Sequence, residues 1–148
     1  MGPVMLALST FRQSEKAVAL ALEKAREAGR LVIVHVVDVN LARYLIGTDV
    51  GFYPELMKTT ERDLLARHEA EARRRVGLLE ERARGQGLEV QSRVEIGRFA
   101  PICLAAVKEL APAVIFTTRS ERPDWVRRFF GSPVDDLIAR AGCPVVEA

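Results

Sequence analysis

At 148 residues, with 49% apolar and 28% charged residues, the chain has the balance of one soluble globular domain large enough for its own core, which excludes a disordered or low-complexity chain. A formal charge of +2 gives no argument for a nucleic-acid partner, and the most basic run, Arg73-Arg74-Arg75, is flanked by Glu69, Glu71, Glu80 and Glu81 and reads as a solvated helix face. No segment is long enough to cross a bilayer, and residues 3–8 lack the basic start and cleavage pattern of a signal peptide, so a cytoplasmic protein away from membranes is expected, with Cys103 and Cys143 as reduced thiols.

Residues 4–8 are a short apolar run closed by Ser9-Thr10, the first predicted strand. Ser14 is placed to cap a helix running to about residue 28, its side-chain oxygen taking an orphan N–H of the first turn. Ala17, Ala21, Ala25 and Ala28 recur at helical spacing, Val18 and Leu22 widen the stripe, and Gly29 is the stop. Residues 31–37, Leu-Val-Ile-Val-His-Val-Val, are apolar at nearly every position, as in a strand covered on both faces of a parallel sheet. His35 inside this run reads as a satisfied core histidine. It is far from His68 and from any Cys or carboxylate pattern, so no metal site is predicted.

Residues 38–54 are irregular but carry Tyr44, Phe52 and Tyr53, which suggests a loop packed on the surface. A long helix over about 55–84 follows, with Leu65, Ala72, Val76, Leu79 and Ala83 inward, ended by Gly85-Gln86-Gly87. Residues 88–96 alternate apolar and polar positions, the mark of a strand with one wet face at a sheet edge. Residues 97–100 turn the chain, and Pro101 suits the first turn of a helix to about 110 whose core candidates are Cys103, Leu104, Ala106 and Val107. Residues 113–117 are the fourth strand. A short helix over 132–141, with Leu137, Ile138 and Ala141 inward, leads to a fifth strand at 144–147.

Strict alternation of strand and helix predicts an α/β fold: a single domain over 1–148 with an open five-stranded parallel sheet, strand order 3-2-1-4-5, and helices on both faces. Ligands of such sheets bind beyond the carboxyl ends of the strands where the order reverses, here between strands one and four. Ser9-Thr10 and Thr117-Thr118 then face each other. Gly131-Ser132-Pro133-Val134 opens the next helix, with Ser132 as N-cap, Pro133 at N1 and Asp135 placed to reach back as in a capping box. Free N–H groups there favour an anion, and Arg119, Arg122, Arg127 and Arg128 lie in the covering loop. The same arginines fit a solvated loop, or pairs with Glu121 and Asp124. Trp125, Phe129 and Phe130 read as anchors that pack the loop down.

Over nearly its whole length the chain resembles a universal stress protein. The resemblance rests on the capped first helix, His35-Val36-Val37-Asp38 at the end of strand two, Gly97-x-x-Ala100, and Gly131-Ser132 before a helix and Cys143-Pro144-Val145-Val146. ATP-binding members of that family carry an Asp at the end of strand one, Gly-x-x-Gly after strand four and, about nine residues later, Gly-Ser or Gly-Thr. Those positions here are Ser9, Thr118 and Glu121, and only Gly131-Ser132 survives. The losses remove glycines that let backbone N–H groups approach phosphates, and they add a negative charge near them. Val37 matches the family's base-contacting backbone position, and the core explains a valine there equally well.

What the resemblance implies is a stress-response protein with no resident cofactor, ATP being disfavoured by Ser9, Thr118 and Glu121. It would act as a homodimer paired through strand five, with Val145 and Val146 at the contact and with further protein partners that the sequence does not name. The alternative at that edge is cover by the chain's own termini. The alternative function is a nucleotide or anion sensor whose crevice comprises Ser9, Thr10, Val37, Thr118, Arg119 and 131–134. An enzyme is not expected: the sequence holds no Ser-His-carboxylate set, no Walker lysine motif and no metal cluster.

Overall fold

The structure is a computed structural model that describes residues 2–10, 14–39, 54–119, 125, 128 and 132–148, and of residues 54–61 the backbone alone. Its elements in chain order are β1 (Val4–Ser9), α1 (Glu15–Ala28), β2 (Arg30–Asp38), α2 (Pro54–Gly85), β3 (Glu89–Gly97), α3 (Phe99–Leu110), β4 (Val114–Thr117), α4 (Pro133–Arg140) and β5 (Val145–Glu147). The five strands form one sheet in the order β3-β2-β1-β4-β5, every pair parallel, as expected from the alternating sequence.

Period-two alternation within the buried strands divides the core into two layers. Val4, Leu6, Leu8, Leu31 and Ile33 face α1 and α2, where they meet Ala17, Ala21, Ala25, Val76 and Ala83. The alanine stripe of α1 brings that helix close to the sheet. Met5, Ala7, Val32, Val34 and Val36 face α3 and α4, against Phe99, Cys103, Ala106 and Leu137. β1 and all but the first residue of β2 are buried, the consequence of helices on both faces. β3 is half-wet and lies at an edge.

Both ends of α1 form as their residues dictate. Ser14 accepts from the Ala17 N–H, and Gly29, at φ 77°, takes the left-handed conformation with its N–H donating to the Ala25 carbonyl. α3 ends the same way without a glycine: Ala111 sits at φ 46° just before Pro112. Gly2 is required by close approach, since a Cβ there would lie 2.0 Å from the Ala111 carbonyl oxygen.

Several inward assignments need correction. Ile138 is 43% exposed, because α4 buries Val134, Leu137 and Ala141 and turns position 138 outward. Leu65 is only half-buried. Conversely Phe99, read as part of a turn, is the first residue of α3 and one of the largest fully buried side chains. Trp125 is no anchor, its side chain being 63% exposed. Residues 40–53, Phe129 and Phe130 lie outside the described residues.

Candidate functional site

β1 pairs with β2 on one side and β4 on the other, so the reversal of strand order falls between β1 and β4 as expected. The carboxyl end of β1 delivers Ser9, which is buried, and then Thr10, whose N–H donates to the Val36 carbonyl at 3.2 Å. That bond turns Thr10 toward β2, and its Oγ1 stands 3.5 Å from His35 Nε2. Val37 is buried in β2, and Asp38, a carboxylate the sequence reading left without a role, is buried beside it at the strand's end.

Across the reversal, Thr117 Oγ1 donates to the Ala7 carbonyl at 2.9 Å, locking β4 to β1. Thr118 is buried as well. The backbone beyond β4 is already engaged: the Ala148 N–H donates to the Thr117 carbonyl at 3.0 Å, and the Arg119 N–H donates to the Ala148 carbonyl at 3.1 Å. The Arg119 side chain is exposed, as is Arg128. Glu121, Arg122, Asp124, Arg127 and Gly131 are outside the described residues.

The start of α4 forms as predicted, with one difference. Ser132 is the N-cap and its Oγ accepts from the Asp135 N–H at 3.3 Å, with Pro133 in the first turn. The Asp135 carboxylate reaches back to the Ser132 hydroxyl, which donates to its Oδ2 at 2.9 Å; in a capping box the reach would be to the backbone N–H. Asp135 and Asp136 thus place two carboxylates in the first turn, where the helix dipole favours negative charge. The Val134 side chain is fully buried in the α3–α4 layer, so only its backbone belongs to the crevice.

His35 departs from the expected satisfied core residue. It is buried, but its Nδ1 has no hydrogen-bond partner among the described residues. Burial, helped by the nearby Arg75 guanidinium, pushes its pKa down to about 4, so the ring is neutral at pH 7. No pattern of residue types announces this, because a histidine in a buried strand looks the same whether or not both nitrogens are satisfied.

The Arg73-Arg74-Arg75 run is paired along α2 as the flanking glutamates suggested: Arg73 with Glu69, and Arg74 and Arg75 with Glu71. Hydrogen bonds from Arg74 and then Arg75 hold the Glu71 carboxyl down at about 2. Cys103 and Cys143 are free thiols, and burial pushes the Cys143 thiol up. At the far edge, Val145 is half-buried against the α3–α4 layer while Val146 is 36% exposed. No strand pairs with the outer side of β5 among the described residues. None of the described helices is long and apolar enough to cross a membrane, and no group of three metal-ligating side chains gathers among the described residues.

Solved structures share this architecture at low identity, which speaks to fold alone. The universal stress protein UspA from Lactobacillus plantarum superposes with a TM-score of 0.72 at 15% identity, covering 98% of this chain and 96% of that one. A universal stress protein in complex with cAMP gives 0.61 at 13%, covering 99% and 96%. A universal stress protein family protein from Arabidopsis thaliana with AMP bound gives 0.51 at 12%, covering 98% and 90%. No curated protein matches the sequence. The model of the universal stress protein family matches residues 1–146, all but the last two residues of the chain, and the chain belongs to that family.

Proposed function

We propose that this universal stress protein is a non-enzymatic, cytoplasmic stress-response protein that acts as a homodimer through β5 and does not bind ATP tightly. The observation that carries the reading is the start of α4, where a phosphate would need free N–H groups and positive potential. There the chain's own Asp135 holds the Ser132 hydroxyl, and Asp136 adds a second charge. The Arg119 N–H that follows β4 is spent on Ala148. Ser9 offers a buried hydroxyl where an ATP-binding relative has a carboxylate. These residues fit an adenosine triphosphate poorly.

Calorimetry with ATP, ADP and AMP plus Mg²⁺ tests this, with absence of binding at near-millimolar nucleotide as the expected result. Micromolar binding would favour the second reading, a nucleotide or anion sensor. That reading is supported by the solved relatives that carry cAMP and AMP, and by the exposed Arg119 beside the crevice. Replacing Thr118 and Glu121 together by glycine should raise nucleotide affinity; an unchanged weak affinity would show that this loop is not what limits binding.

The dimer reading is supported by the edge position of β5, with no strand on its outer side among the described residues, and by the exposed Val146. Light scattering at micromolar concentration should give twice the chain mass, and Val146→Glu should shift it toward monomer. A monomeric wild type would sink this part of the reading.

A further inference from the structure

A second concave region lies on the other side of the sheet from α4. It is a cleft of about 430 Å³ between α1 and α2, within the roughly 300–1,000 Å³ of small-molecule sites. Leu8, Val18, Leu78 and Leu79 supply its apolar lining. Leu78 is 53% exposed, while Ala72, Val76 and Ala83 of the same helix are buried. Apolar surface is therefore left open along the cleft.

The polar groups of the cleft are unequal. Arg82 Nη1 binds Glu15 Oε1 at 2.7 Å, so those two charges cancel across the mouth. Arg75 differs. Its pair with Glu71 uses only Nε, at 3.0 Å, and Glu71 is shared with Arg74. The two terminal nitrogens of Arg75 make no bond to any described residue, which leaves a planar fork suited to a carboxylate. With Glu15 and Arg82 balanced, Arg75 leaves the lining with one positive charge. The remaining polar lining is Ser14, whose hydroxyl caps α1, and His35, buried and neutral, with no hydrogen-bond partner at Nδ1 among the described residues.

From this combination we propose that the α1–α2 cleft binds a small organic monoanion with an apolar body, its carboxylate on the Arg75 fork and its body along Leu78 and Leu79. The cleft lies on the face of the sheet opposite α4, and His35 in its lining meets Thr10, at the edge of the β1–β4 crevice, at 3.5 Å.

The probe is octanoate, with 1-octanol as its uncharged counterpart, followed by methyl NMR of the full chain. Octanoate should shift the Val18, Leu78 and Leu79 methyls saturably, and octanol should bind far more weakly. Arg75→Gln should weaken octanoate about 10- to 100-fold, the worth of a charge-assisted hydrogen bond. Arg75→Lys, which keeps the charge and loses the fork, should fall between. Since Arg75 is an exposed side chain, both variants should fold. The proposal is overturned if octanoate gives no saturable shift up to several millimolar, if octanol matches it, or if Arg75→Gln leaves the affinity unchanged.

Discussion

β2 sends Val32, Val34 and Val36 to one face of the sheet and Ile33 and His35 to the other. On the α3–α4 face the layer closes completely around Phe99, Met5, Ile115 and Leu137, all at most 1% exposed. On the α1–α2 face the layer closes only partway along the strands. Toward their carboxyl ends it opens into a cleft beside an under-satisfied histidine. One sheet thus supports a dry, tightly packed face and a face with room for a guest. The difference comes from a single polar residue in register beside Leu8, and from a helix, α2, that presents Leu78 and Arg75 there.

The largest contrast is in packing. Phe99→Ala, on the closed face, should lower stability by about 3–5 kcal/mol, read from urea unfolding. Leu78→Ala, in the open cleft, should change it by no more than about 0.5 kcal/mol. Similar costs at the two sites would mean that the cleft closes in solution and that the two faces do not differ.

The next contrast is in pH. The folded-state pKa of His35 is depressed from 6.5 to about 4, so the native state favours the neutral ring. The unfolded chain binds the proton first as pH falls. Stability is therefore fully present above about pH 6.5 and is lost as pH drops toward 4, by roughly 3 kcal/mol in all. Glu71, depressed from 4.5 to about 2, loses its contribution only below pH 4.5, so the interval from 6.5 to 4.5 isolates the histidine. His35→Leu should flatten the stability profile over that interval, since it removes the titrating ring, and leave neutral-pH stability within about 1 kcal/mol, since it removes the unmet nitrogen. A profile that stays sloped in the variant would assign the acid sensitivity elsewhere.

The sequence made the closed face easier to read than the open one. Strand order, the alanine stripe of α1 and the caps at Ser14, Gly29 and Ser132 follow from local chemistry, and the structure forms them as read. Ile138 and Trp125 were misplaced because helical spacing marks a stripe without fixing its width, and an aromatic in a loop carries no sign of which way it faces. Phe99 was missed because the helix begins there with Arg98 as a cap that makes no side-chain bond, so no Ser, Thr, Asp or Asn marked the start. The cleft was not legible at all. It needs β1, β2, α1 and α2 together, elements up to 74 residues apart between Leu8 and Arg82, and depends on which nitrogen of each arginine is already used.

The smallest contrast compares the two serine caps. Ser14 accepts one bond, from the Ala17 N–H, at the helix that borders the cleft. Ser132 accepts from the Asp135 N–H and also donates to the Asp135 carboxylate. Replacing either by Ala should cost about 0.5–2 kcal/mol in thermal or urea unfolding, with Ser132→Ala at the upper end because it also leaves Asp135 without its hydroxyl donor. The pair of values bears on function as well as on stability. If Ser132→Ala costs no more than Ser14→Ala, the Ser132–Asp135 bond is weak, and a phosphate has little to displace at the start of α4. If it costs clearly more, the helix start is occupied by the protein's own carboxylate, and an added anion must compete with a bond already made there.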